Sequence, residues 1–333
     1  MKKQIITYIT LILFSGAFSS CKKDELNSKE LLAYIKTDGA DGRMGNISFS
    51  RTPLSVTGDS ETRFAAYLTR ETTADVSLTV AADESKLAQY NASNKTAYVL
   101  LPAANYKITG SGTLNIKAGS TVSADSLKIQ LVDRVKLTDP NGYLLPLTVN
   151  QVNSADKGVQ ASSTYRTVYV VVNSVYSNID LSSKTLVAGT VVDRSTPAWT
   201  IVTASTPYSS AYAAVNVLDG KNTTSWFASG VNSFITIDMA ASNTIKGFTL
   251  VPSYAFGATY NATGIEVQIS SDNLTWISQG TYTADPVLSS SSATNPDNRN
   301  INFYGPVTCR YVKFIMKVLP SSYGGFSEIN AIK

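Results

Sequence analysis

Residues 214–226 read A-V-N-V-L-D-G-K-N-T-T-S-W and gather oxygen donors on one short segment. Asp219-Gly220 is a turn dipeptide. Asp219, the carbonyls around Asn222 and the Thr224 hydroxyl all lie within that turn. Calcium takes about six to eight hard oxygen ligands, so this set suits a structural calcium ion rather than a reactive one. The competing use of Asp219 is an Asx turn, in which the carboxylate caps its own backbone. Trp226 closes the segment and reads as core.

Catalytic vocabulary is thin around it. The chain has no histidine, which excludes Ser-His-Asp and Cys-His triads and His-based zinc sites. Its two cysteines, Cys21 and Cys309, lie in unlike contexts and do not suggest a disulfide framework. Cys309, at the mouth of a strand, reads as a small buried hydrophobe. Glycoside hydrolysis needs two carboxylates flanking one bond. The acids of the second half are mostly placed in turns or at strand ends, so no enzyme is expected. Net charge is +4, and no basic stripe marks a nucleic-acid surface.

The N-terminus reads as an address. Lys2 and Lys3 precede an apolar run from Ile5 to Phe18, too short to span a bilayer comfortably. Ser19-Ser20-Cys21 then resembles a bacterial lipoprotein signal over residues 1–20, with Cys21 the acylated first residue of the mature chain. Cys-Lys-Lys-Asp-Glu (21–25) is similar to the export tag of surface lipoproteins in glycan-foraging Gram-negative bacteria. Residues 21–32 read as a tether, and the expected location is the cell-surface face of the outer membrane.

Two all-β domains are expected beyond the tether. In residues 33–178, Val76-Ser77-Leu78-Thr79-Val80 alternates apolar and polar, the period of a strand with one face in a core. Polar turns such as Asp139-Pro140-Asn141-Gly142 separate such runs and argue a β-sandwich. Asp83 to Asn91 reads as one helical turn. Tyr90-Asn91, Tyr98, Leu101-Pro102 and Tyr143-Leu144-Leu145-Pro146-Leu147 resemble the immunoglobulin-like N-terminal module of Bacteroidetes surface lipoproteins. That resemblance implies a spacer ahead of a glycan-binding domain. The Ser/Asn/Lys-rich residues 177–188 place the boundary near 180.

In residues 183–333, Phe234-Ile235-Thr236-Ile237 and Ile265-Glu266-Val267-Gln268-Ile269 alternate cleanly. No long amphipathic helix is legible, so a closed or sandwiched antiparallel fold follows. The ordered series Asp193–Ala204, Ala214–Trp226, Phe234–Met239, Gly264–Val267 with Ser270–Trp276, Arg310–Phe314 and Phe326–Ile329 resembles the coagulation factor five/eight type C (discoidin) domain. It is also similar to carbohydrate-binding module family 32, a galactose-binding-like β jelly roll. The resemblance implies that Glu328 returns to the calcium turn, joining Asp219, Asn222 and Thr224 as metal ligands.

A sugar ring offers a C–H face to an aromatic ring and a polar rim to hydrogen bonds. Candidate ligand residues are Phe227, Tyr254, Phe256, Tyr260 and Tyr323, with core as the competing reading for those in the loops. Trp276 reads as core. Galactose-binding relatives often carry a His after the Trp and an Arg in the loop after the third strand. Phe227 and Ser253-Tyr254-Ala255 stand there instead. The expected function is non-catalytic glycan capture at the cell surface, with an uptake transporter complex as a further partner. The alternative is an adhesin for a protein partner.

Overall fold

A computed structural model of the chain describes residues 29–37 and 42–333. Two separate hydrophobic cores organise it. One gathers side chains between Ala33 and Val172, the other between Ile179 and Ala331. Cys21, the lipidation candidate, lies outside the described residues.

The first core is closed between two sheets. One runs in the order 160–161, 32–36, 61–68, 122–131, 106–108. The other runs 56–58, 44–51, 167–176, 143–154, 76–82, 113–116. Alternation does the work: in Val76–Ala82 the side chains of Val76, Leu78 and Val80 are buried while Ser77 and Thr79 are not. Met44–Arg51 pairs in parallel with Thr167–Tyr176, while most other pairs are antiparallel. Residues Lys86–Asn94 form a full α-helix, longer than the single turn expected, and none of its residues is buried. The Asn91 carboxamide ties the helix end to the next segment, donating to Tyr98 O (2.8 Å) and accepting from Thr96 Oγ1 (2.9 Å).

The second core is wrapped by an eight-stranded curled sheet. Its main path is Trp226–Ser229, Tyr323–Ile332, Phe234–Pro252, Arg299–Val318, Gly264–Ser270, Ile277–Thr283. The two long strands serve both layers of the sandwich. Register shifts between Asp238 and Asn243 and between Ile245 and Gly247 let Phe234–Pro252 bend from one layer to the other. Phe248 and Phe314 meet edge to face in the centre, at 5.1 Å and 89°. At Gly325 an added Cβ would stand 2.0 Å from the Trp226 carbonyl, so only glycine lets the terminal strand lie this close.

The segment 177–180, part of the stretch that composition marks as linker, is built into the second domain. Ile179 and Asp180 pair with Phe303 and Asn302. Asn178, buried, donates from its amide to Gln279 Oε1 (3.0 Å) and Gly305 O (2.8 Å), and its Oδ1 accepts from Gly305 N (3.0 Å). Its backbone N–H donates to Gln279 O (2.7 Å) and its carbonyl accepts from Tyr304 N (2.8 Å). With every polar group matched, Asn178 fixes the junction.

Candidate functional site

The 219–224 turn folds as a closed polar knot. Asp219 Oδ1 accepts from Lys221 N (2.9 Å), the Asx turn, and Oδ2 accepts from Thr224 Oγ1 (2.7 Å). Glu328 comes back to this turn from the terminal strand: its Oε1 accepts from the same Lys221 N (2.9 Å). One N–H is thus shared by two carboxylates. Arg194 supplies the counter-charge, with Nη1 on Glu328 Oε2 and also on Ile329 O (3.0 Å). Burial pushes the Glu328 carboxyl above its ordinary range; Arg194 pulls it down and Asp219 adds to the rise.

Asp219, Thr224 and Glu328 therefore meet, and the Lys221 carbonyl, 3.1 Å from Thr224 Oγ1, adds another oxygen. Asn222 does not point its amide into this group: Nδ2 donates to Ala293 O (3.2 Å) in a neighbouring loop. Among the described residues no three His, Cys, Asp or Glu side chains cluster as a metal set. A cation here would rest on two carboxylates, a hydroxyl and the Lys221 carbonyl. That all-oxygen donor set, with two carboxylates and a single guanidinium, fits a hard divalent ion.

Beside this knot, six rings form one aromatic cluster. Phe227 is its floor, 2% exposed, with Phe256 at 4.8 Å, Tyr323 stacked at 5.9 Å and 9°, and Tyr260 at 6.2 Å. Tyr208 leans edge-on against Phe256 (5.4 Å) and Tyr323 (5.5 Å), and Tyr212 lies 5.3 Å from Phe256. Tyr208 and Phe256 stay open to solvent, at 55% and 41%. Among the described residues the hydroxyls of Tyr208, Tyr212, Tyr260 and Tyr323 have no protein partner. The cluster thus offers exposed ring faces, four free hydroxyls and no charge of its own.

Buried polar pins hold its loops. Ser253 Oγ donates to Ser225 Oγ (2.9 Å), which is 2.9 Å from Ser327 Oγ. Asn261 closes the loop 253–261 by bonding both Ser253 N (2.8 Å) and Ser253 O (2.9 Å). Each of these four residues is almost fully buried. They fasten the loop carrying Phe256 and Tyr260 to the strands carrying Phe227 and Tyr323.

Tyr254 sits apart from its loop neighbours. Its hydroxyl donates to Ser291 Oγ (3.0 Å) and accepts from Asp297 N (2.9 Å), so it anchors the 288–297 loop and is not part of the ring cluster. Tyr208 and Tyr212 were missed in the sequence. The signal was available: Thr206-Pro207-Tyr208-Ser209-Ser210-Ala211-Tyr212 is another aromatic-bearing Ser-rich loop. Trp226 is fully buried, 5.9 Å from Phe326. Trp276 is only half-buried, against the expectation of core, because it lies on the outer sheet face under Lys313 Nζ (3.9 Å to the ring centroid). Burial pushes the Cys309 thiol up to about 12, which leaves it protonated and inert.

Residues 201–330 match the family model of the F5/8 type C domain. This half of the chain is an F5/8 type C domain. Residues 27–156 match a separate family model, described as a "-like, N-terminal domain". A two-domain protein of unknown function from Bacteroides fragilis shares the architecture, with 18% identity, 91% of this chain and 95% of that one covered, and a TM-score of 0.54. An F5/8 type C domain from Bacteroides fragilis aligns at 24% identity over 44% of this chain and 96% of its own, TM-score 0.38. A family 32 carbohydrate-binding module from C. perfringens NanJ, solved in complex with galactose, aligns at 14% identity over 44% of this chain and all of its own, TM-score 0.37. No curated protein matches the chain. In the F5/8 type C domain, Asp238, at the first register shift inside strand Phe234–Pro252, forms a bidentate pair with Arg310 (2.8 Å on both oxygens).

Proposed function

We propose that this protein is a non-catalytic glycan-binding protein of the cell surface, and that the aromatic cluster of the F5/8 type C domain is its ligand surface. One observation carries the reading: six packed rings, Tyr208 and Phe256 among them open to solvent, with four unpaired phenol hydroxyls and no charge. A neutral pyranose needs that combination, an apolar platform for its C–H face and donors and acceptors for its rim. Phe256, backed by the buried Phe227, supplies the platform, and Tyr208, Tyr212, Tyr260 and Tyr323 supply the rim. Similar domains in family 32 carbohydrate-binding modules support the same class of ligand. Acylation of Cys21 would hold the protein on the outer membrane, where it would pass captured glycan to an uptake transporter.

Calcium belongs to the same proposal as a structural ion. Asp219, Thr224 and Glu328 would hold it with main-chain carbonyls of the turn, and it would staple the terminal strand to residues 219–224. Arg194 then balances the second Glu328 oxygen.

A glycan array probed with the full chain tests the ligand. Binding to neutral glycans that Phe256→Ala and Tyr208→Ala both abolish supports the cluster. An array blank for every glycan, with a protein captured instead, would turn the function to adhesion. For the ion, melting temperature is compared in calcium and in EDTA. Equal values sink the calcium assignment, because a ligand of the native state raises stability by mass action.

A further inference from the structure

A groove of about 680 Å³ runs along the junction of the two domains, away from the aromatic cluster. Arg51 and Tyr176 line it from the first domain; Trp276, Ile277, Gln279 and Thr308 line it from the second. The Asn178 clamp holds Gln279, one of its lining residues, against the segment that leaves the first domain. Ser177, next to it, donates its N–H to Arg51 O (2.9 Å) and packs against Gly280, where an added Cβ would fall 2.5 Å from Ser177 Oγ.

The groove differs in chemistry from the cluster. Its lining contains no carboxylate. Arg51 lies over the Tyr176 ring (5.6 Å) and Lys313 over the Trp276 ring (3.9 Å). Neither cation is in an ion pair among the described residues; Arg51 Nε donates only to Ser174 Oγ (3.3 Å). The acids nearby are already engaged. Glu266, behind Ser278, accepts from Ser278 Oγ (3.0 Å) and faces Lys317 (3.6 Å). Asp139 accepts from Asn141 N (2.9 Å) in its own turn. Two aromatic rings beside an unpaired guanidinium and an unpaired ammonium make a site for a ring-shaped anion. A planar guanidinium fork matches a carboxylate, and the rings match a pyranose face.

We propose that the junction groove is a second saccharide site, selective for a carboxylated sugar such as a uronate unit of an acidic polysaccharide. Trp276 stacks on the sugar ring and Arg51 takes its carboxylate. The site stands independently of the neutral-glycan reading of the aromatic cluster.

The test titrates the full chain with an oligogalacturonide and with its methyl ester, by calorimetry and by tryptophan fluorescence. Trp199 and Trp226 are buried, so a ligand-induced change reports mainly on Trp276. The acid form binds, the ester binds at least about tenfold more weakly, and added salt weakens the acid form alone. Arg51→Ala lowers affinity about tenfold or more, Arg51→Lys less, and Trp276→Ala removes the fluorescence response and the binding. Melting curves of each variant separate lost binding from lost fold. No binding of the acid form, equal binding of acid and ester, or binding indifferent to both Arg51→Ala and Trp276→Ala overturns the proposal.

Discussion

Phe227 and Phe256 touch ring to ring and carry different burdens. Phe227 is buried beneath the cluster, so Phe227→Ala removes packed ring surface and is expected to cost about 3–5 kcal/mol in chemical denaturation. Phe256 is 41% exposed, so Phe256→Ala costs less stability than Phe227→Ala and should act chiefly on glycan affinity, read by calorimetry. Asp272 holds the turn after strand Gly264–Ser270. Backbone N–H groups of Thr275 and Leu274 and the Ser270 hydroxyl lower its carboxyl to about 2. A depressed folded value means a contribution present above the unfolded value of 3.8 and lost only as pH falls through about 2, which a carbon-detected NMR titration of Asp272 reads directly. Glu328 runs the other way. Its folded value is raised, so without metal its contribution is fullest in acid and is lost as pH rises through the folded value. The proposed calcium ion would reverse this by requiring the ionised form. The melting-temperature gain from calcium should therefore shrink on acidification at a pH above the ordinary glutamate value of 4.5, seen by repeating the calcium and EDTA melts across pH.

At the level of elements, the strands were the legible part. Val76–Ala82 and Gly264–Ser270 announce themselves by period two, and the sheets use those same faces. The loops hold what sequence could not order. Tyr254 and Phe256 are two residues apart in one loop, yet one hydroxyl goes to Ser291 while the other ring joins the cluster, because an irregular loop has no period to count. Arg194 and Glu328 are separated by 134 positions, and only tertiary folding makes the pair. Asn261 was equally silent, since a buried amide is recognised by its partners rather than its neighbours in sequence. Asn261→Ala strands the N–H and carbonyl of Ser253 in a buried setting. The expected loss is about 1–3 kcal/mol in denaturant melts, with weaker glycan binding as the loop of Phe256 and Tyr260 loosens. Asn261→Asp keeps the acceptor but turns an oxygen toward the carbonyls of Ser253 and Ala258, so it should cost at least as much as Asn261→Ala.

Across the whole molecule, the junction is a structural joint and not a loose linker. Composition misleads there because Ser and Asn serve turns, tethers and buried polar clamps alike. Asn178→Ala deletes three side-chain bonds at a buried position and should widen the radius of gyration in small-angle scattering while leaving both cores folded. Strand Gly264–Ser270 has a further consequence. Tyr260 and Asn261 lead into its start, and Ile269 near its end lines the junction groove. At about 3.3 Å per residue its length sets the two surfaces on the order of 20 Å apart. A polysaccharide long enough to reach both would be held bivalently: release from one surface would leave it at high effective concentration near the other, and residence time would then depend on polymer length more than on either affinity alone.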